Sequence, residues 1–151
     1  MTLRFACSAA LLLAIVLAAP ADARERTLHV DRDELVNTGG WTLTTTTAPG
    51  GAPVAATVPF RLVFDRRTVA VKGGCPSLQG DYTLVGKRMG FTLAATVGED
   101  CTGDAAQASA AFLTTLDRTF EGALVEPLPY RLRLTADDGT VLQFQSQPMG
   151  F

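Results

Sequence analysis

Histidine is almost absent from this chain, since His29 is the only one among 151 residues. A serine or cysteine triad, a proton relay or a zinc site generally uses a histidine in the folded core. His29 lies instead in a charged segment near the N-terminus, where we expect it to be solvated. We therefore predict no catalytic residue, and the sequence argues against most enzyme classes.

Charge is also scarce and nearly balanced. The chain has 13 basic and 15 acidic residues, for a net charge of -2, and only 19% of its residues are charged. Without a basic stripe or a polybasic patch, the sequence argues against nucleic acid and anionic lipid as partners. The 47% hydrophobic content is typical of a compact domain rather than a disordered chain.

One apolar run, residues 9–19, is too short to span about 30 Å of hydrocarbon comfortably. Arg4 precedes the run, Pro20 follows it, and residues 21–23 (ADA) form a cleavage motif. We predict a signal peptide over residues 1–23 with cleavage after Ala23, the alternative being an uncleaved membrane anchor. Cys7 lies on the wrong side of the run for a lipid-modified cysteine. The expected product is a periplasmic or secreted protein without a stable membrane anchor.

Most of the remaining chain has the alternating apolar and polar pattern of short strands. Residues 24–35 are charged and lack a sustained period, so we expect a loosely attached N-terminal segment. The Pro- and Gly-rich stretch 48–59 predicts a loop with a strand start. Strands are predicted at residues 41–44, 60–64, 68–72, 81–85, 89–97, 119–125, 130–136 and 140–145. The first two after the loop form a hairpin, and Gly139 favours a tight turn between the last two.

One segment has a helical period instead. Apolar residues recur at three- and four-residue steps over 104–116, through Ala105, Ala108, Phe112 and Leu116. Asp104 is a candidate N-cap residue, with Gln107 three positions later as in a capping box. We expect this stripe to pack on a sheet.

The order of these elements predicts an α+β fold dominated by β-structure. We expect a curved antiparallel sheet or partial barrel of about seven strands, with one helix at about 104–116 packed on it. Residues 36–151 form a single predicted domain, and we expect it to be a monomer.

The order and spacing of these segments resemble the META domain (HslJ-like) family over roughly residues 36–147. The resemblance depends on residues 41–43, 62–65, 73–75, 80–83, Cys101, Phe112, Leu113, Leu116, 132–135 and 138–144. It implies a β-rich fold with one packed helix, an envelope or secreted location in bacteria, and no established catalytic activity. Links to drug tolerance or motility exist in the family, but no motif in this sequence carries them. The chain departs from the family pattern at Pro76 and at residues 99–100, which weakens any role for the loop around Cys75.

Removal of Cys7 with the signal peptide would leave Cys75 and Cys101. An even number of cysteines in an oxidising compartment favours a disulfide between them. Two alternatives stay open. The cysteines could be free buried thiols, or Cys101 could be a reactive thiol, since it precedes the predicted helix, whose dipole would lower its pKa.

Other candidate sites favour structural interpretations. Residues 73–80 lack the Gly-Lys-Ser/Thr ending of a phosphate loop, so we expect a turn or bulge. The acidic groups at residues 31–34, 99–104 and 137–138 lack the order of a known calcium loop, so we predict no metal site and no cofactor. The aromatic residues at strand spacing are predicted to be core: Trp41, Phe60, Phe64, Tyr82 and Phe91.

Three functions stay open from sequence. The leading hypothesis is a non-enzymatic envelope or secreted domain that binds a protein or envelope partner or contributes to stress tolerance. The second is a chaperone-like protein or inhibitor that holds other exported proteins through a sheet edge. The third is a small hydrolase or thiol oxidoreductase with a site that the sequence does not reveal.

Overall fold

A computed structural model describes residues 25–96, 100–126 and 129–148 of the chain. The predicted cleavage site after Ala23 and the acidic residue Glu99 lie outside these ranges. The described residues form ten strands and two helices. They are β1 (Thr27–His29), α1 (Arg32–Val36), β2 (Trp41–Thr47), β3 (Val54–Ala55), β4 (Arg61–Phe64), β5 (Thr68–Lys72), β6 (Leu78–Val85), β7 (Arg88–Ala95), α2 (Gly103–Leu116), β8 (Thr119–Val125), β9 (Arg131–Ala136) and β10 (Val141–Ser146).

The local hairpins follow the predicted alternation. β4 pairs with β5, β6 with β7 and β9 with β10, each antiparallel and each across a short turn. In the β9–β10 turn, Gly139 has a φ of 90°, a backbone conformation that residues other than glycine rarely adopt. The predicted strands and their order are therefore confirmed.

Eight of the strands form a ring. The hydrogen-bonded order runs β8, β7, β6, β5, β4, β2, β10, β9, and β9 pairs again with β8. The two shortest strands are additions, since β1 pairs with β8 and β3 pairs with β2. The predicted curved, β-dominated sheet is confirmed, although it has ten strands rather than about seven.

Apolar side chains fill the interior of the ring. Along most strands of the ring, buried residues alternate with exposed or half-buried ones, as expected for a closed sheet. The aromatic residues predicted to be core are all buried, which confirms that interpretation. The inward-facing residues include Trp41, Leu43, Leu62, Phe64, Val69, Val71, Leu78, Tyr82, Met89, Phe91, Phe120, Leu124, Leu132, Leu134, Leu142 and Phe144.

The ring has two short seams. At the first, β2 pairs with β4 through two residue pairs; at the second, β7 pairs with β8 through three. By comparison, β6 and β7 pair through eight. The wall of the barrel therefore opens toward one end along both seams.

We call that end the helix rim, because it carries α2 together with loops 73–77 and 137–140. The opposite rim carries α1 and the turns at 65–67 and 86–87. Antiparallel order places alternate connections at alternate ends of the ring, and β7 and β8 are joined through α2 at the helix rim. Within residues 25–96, 100–126 and 129–148, no helix combines the length and the apolar character that a bilayer crossing needs.

The expectation of a loosely attached N-terminal segment is wrong. β1 pairs with the end of β8, and Val30 and Leu35 are each 1% exposed. A local period does not reveal this order, because the segment is rich in charged residues. Backbone pairing to a distant strand, rather than a local period, orders the segment.

The predicted helix is present, but its start and its buried face differ from the prediction. Thr102, not Asp104, is the N-cap residue, and its side chain makes no capping bond. Gly103 has a φ of 70°, which lets the chain enter the helix directly after Cys101. Ala105 is exposed and Ser109 is buried, because the small serine side chain fits against the backbone of Gly74.

Candidate functional site

A disulfide between Cys75 and Cys101 holds the helix rim together. The two Cα atoms are 5.5 Å apart, within the usual range for such a bridge. Cys75 lies in the loop between β5 and β6, and Cys101 lies just before α2. The bridge therefore ties the start of the helix to the wall of the barrel.

An aromatic stack fixes the middle of α2. The rings of Phe60 and Phe112 are parallel, with centroids 4.2 Å apart, and both are buried. Beside them Ser109 is 1% exposed, and its hydroxyl has no hydrogen-bond partner among the residues that the structure describes. Gly74 passes so close to Ser109 and Phe60 that a side chain there would overlap both. The helix therefore packs tightly at the side where β4 begins.

A groove of about 320 Å³ runs along this side of α2, and we call it the β3 groove. Alanine, valine and threonine dominate its lining, and Val54 is 62% exposed at its edge. Ala56 and Val58, in the segment between β3 and β4, pack against the core. The first seam is therefore covered by the returning chain.

A second groove of about 320 Å³ lies on the other side of α2, and we call it the β7 groove. It separates β7 from the C-terminal half of the helix. Its lining is formed by Phe91, Thr92, Leu93, Leu113, Thr114, Leu116 and Asp117. Leu93 and Leu113 are half-buried, so the groove offers an apolar floor with polar groups at its margin.

The opposite rim is closed by α1. The indole nitrogen of Trp41 donates a hydrogen bond to the carbonyl oxygen of Leu35 at 3.1 Å. The guanidinium of Arg32 lies 5.6 Å from the centre of the Tyr82 ring. Burial raises the pKa of the Tyr82 phenol above its usual value, so the phenol stays protonated at neutral pH.

Two carboxylates on the surface have lowered pKa values. Arg131, 2.6 Å from Glu25, holds the pKa of that carboxyl below its usual range by hydrogen bonding and charge. The backbone N–H of Thr140 lowers the pKa of Asp138, and Arg118 contributes. Both carboxylates are exposed, so these are surface ion pairs rather than the buried groups typical of catalysis.

Most residues that could take part in catalysis or metal binding lie in different parts of the structure. His29 is exposed on β1. The acidic residues of α1 and of the β9–β10 turn lie on opposite rims, and Asp100 and Asp104 are exposed near the disulfide. In the part of the chain that the structure describes, no three His, Cys, Asp or Glu side chains are placed to hold a metal ion. Residues 73–76 form bends between β5 and β6, as the turn interpretation predicted.

Sequence reasoning missed the grooves and Ser109. A groove depends on how far two distant strands stay paired, and no local period reports this. A serine between alanines in a helical stripe is a weak signal of burial. The Gly-Gly pair at residues 73–74 was the available clue, because adjacent glycines allow a close approach.

Solved structures with a similar fold have been found. One is described as "NMR structure of the protein from Burkholderia xenovorans"; it is 22% identical, with a TM-score of 0.63, covering 78% of this chain and 87% of that one. Another, described as "NMR structure of the protein", is 17% identical, with a TM-score of 0.51, covering 77% of this chain and 94% of that one. At these identities the likeness concerns the fold alone. No curated protein matches the chain.

The family profile described as "META domain" matches residues 33–149. The match includes residues 33–35 of α1, which lie outside the resemblance over 36–147, and it extends across the ring and the helix rim. It therefore covers the filled barrel, the disulfide and both grooves. This chain belongs to the META domain family.

Proposed function

We propose that the protein is an exported, non-enzymatic binding domain that holds a protein partner at its helix rim. The observation that carries this proposal is the contrast between a filled interior and an open rim. Apolar side chains occupy the inside of the barrel, whereas two grooves of about 320 Å³ each flank α2. A small ligand generally needs a concave pocket that buries most of its surface, whereas open grooves beside a strand and a helix suit a polypeptide.

Two features support export. The N-terminal segment has the arrangement of a signal peptide, and the Cys75–Cys101 disulfide belongs to the chemistry of oxidising compartments. We expect the exported protein to begin at residue 24. Intact-mass measurement of protein recovered from the periplasm or medium tests this, and a mature chain that begins at Met1 or carries a lipid would contradict it.

Two valines provide a matched test of the binding surface. Val54 is 62% exposed at the helix rim, and Val85 is 76% exposed next to the turn at the opposite rim. A photo-crosslinking amino acid placed at position 54 in the exported protein should yield a discrete protein adduct. The same substitution at position 85 should not, and equal labelling at both positions would contradict the proposal.

Catalysis is the competing function. A screen of the mature protein against ester, peptide, glycoside and phosphate substrates should stay at background, because His29 is exposed on β1 and the Cys75 and Cys101 sulfur atoms are joined in a disulfide. Activity that a single substitution abolishes would overturn the proposal. A chaperone-like or inhibitory role through a sheet edge is the second candidate, and the short pairing of β7 with β8 beside the β7 groove favours it.

A further inference from the structure

The sheet edges formed by β1 and β3 are both blocked against a further strand. β3 has two residues and is flanked by Pro53 and Pro59. β1 has three residues with charged residues on both sides. Short length, proline and charge are the usual means by which proteins prevent a further strand from adding to an edge.

The edge of β7 has none of these features. Residues 91–95 (FTLAA) contain no charge and no proline. Within the described ranges they pair with β6 on one side, whereas pairing with β8 ends at Gly90. The unpaired side of these residues borders the β7 groove.

Two hydrogen bonds establish which backbone groups face that groove. The N–H of Gly122 in β8 donates to the carbonyl of Lys87 at 2.8 Å, so Lys87 faces the β8 side. The N–H of Thr96 donates to the carbonyl of Ser77 at 2.8 Å, so Thr96 faces the β6 side. Because backbone direction alternates along an antiparallel strand, the N–H and C=O groups of Phe91, Leu93 and Ala95 point toward the free side.

The groove also matches the side chains of an extended peptide. Leu93 and Leu113 are half-buried and can receive apolar side chains from every second residue of a strand. Asp117 follows the last residue of α2, whose final turn has no basic residue. The negative end of the helix dipole and this carboxylate together favour a lysine or arginine.

We propose that residues 91–95 of β7 accept an extended segment of a partner protein as an additional β-strand. The segment alternates apolar and polar residues and carries a basic residue next to Asp117. This inference rests on the proposed binding function and names the chemistry of the partner. Main-chain hydrogen bonds would provide the affinity. Contacts with Leu93, Leu113 and Asp117 would determine which partner sequences bind.

The probe for the test is a short labelled peptide that alternates valine and threonine and ends in lysine. It should bind the mature domain, and the same peptide N-methylated at alternate residues along one edge should not. Residue-resolved hydrogen exchange provides the signature. In the free domain the amides of Leu93 and Ala95 should exchange rapidly and those of Thr92 and Ala94 slowly, and the peptide should protect Leu93 and Ala95.

Two adjacent alanines give matched variants. Ala95→Pro removes an N–H that faces the free side, so the fold should persist while the peptide binds at least about tenfold more weakly. Ala94→Pro removes an N–H that faces β6, so this variant should be the less stable of the two. If Ala95→Pro does not fold, Asp117→Lys tests the site instead, and it should also weaken binding of the lysine-ended peptide.

Three outcomes would overturn the inference: binding unaffected by N-methylation along either edge, protection of Thr92 and Ala94 instead of Leu93 and Ala95, or concentration-dependent self-association through this edge in place of peptide binding. Failure here is distinguishable from failure of the proposed function. A cross-link at position 54 with no peptide effect at β7 would leave helix-rim binding intact and reject the added strand alone.

Discussion

The barrel has two seams where neighbouring strands pair over only a few residues, and the connecting chain covers one seam but not the other. At the β2–β4 seam, the segment between β2 and β4 returns as β3, and Val58 and Phe60 turn inward to pack on the core and on α2. At the β7–β8 seam, the chain passes instead to the disulfide and the helix, and residues 91–95 stay paired on one side. The comparison shows that the connection after a strand decides whether its edge is covered.

The largest effect is expected where α2 is fixed to the covered seam. Phe112→Ala removes a buried ring stacked on Phe60 and should lower the free energy of unfolding by about 3–5 kcal/mol. Leu116→Ala, which alters the side of the helix next to the open seam, should cost about 2–5 kcal/mol. Urea denaturation measures both, with the exposed Thr114→Ala as control. A loss below about 1 kcal/mol for Phe112→Ala would show that the helix is not anchored there.

The disulfide should have the next largest effect, because it holds the helix start between the two seams. Cys75 and Cys101 are separated by 26 positions, and closing such a loop stabilises a domain by roughly 3–4 kcal/mol in the chain-entropy description. The double variant Cys75→Ser/Cys101→Ser should lose about that much in thermal or urea unfolding. Thiol titration of denatured, unreduced exported protein should find no free thiol, and two free thiols would refute the bridge.

Substitution of Ser109, on the side of α2 next to the covered β2–β4 seam, should have a smaller effect of opposite sign, because it should stabilise the domain. Its hydroxyl is buried and has no hydrogen-bond partner within the described ranges, and alanine has the higher helix propensity. Ser109→Ala should therefore raise the free energy of unfolding by about 1 kcal/mol. Thr115→Ala on the same helix serves as the control. Destabilisation by Ser109→Ala would indicate that the hydroxyl has a partner in solution.

The smallest effect concerns the start of β8, at the open seam. Asp138 accepts hydrogen bonds from the Thr140 N–H and from Arg118, which precedes β8, and its pKa is lowered. A carboxyl with a lowered folded-state pKa stabilises the fold above its unfolded pKa, and this contribution is lost as the pH falls through the folded value. Wild type should therefore lose slightly more stability than Asp138→Asn on acidification below about pH 4. Parallel pH profiles would contradict this.

Local features of the fold were predictable, and long-range ones were not. The three hairpins follow from alternation and turn residues, and α2 follows from its apolar stripe. The pairing of β1 with β8 and the closure between β8 and β9 depend on contacts between distant segments, which alternation does not specify. The same limit applies to the candidate site. The disulfide could be expected from the cysteine count, whereas the β7 groove exists because β8 begins opposite Gly90.

The hydrogen bond from Trp41 to Leu35 has a practical consequence for measurement. Trp41 is the one tryptophan in the sequence and is fully buried at the opposite rim, next to α1. Its fluorescence therefore reports on release of the N-terminal segment and is remote from α2. Emission that shifts to longer wavelength before far-ultraviolet dichroism changes would show that α1 detaches first. Coincident changes would show that the N-terminal segment and the barrel unfold as one cooperative unit.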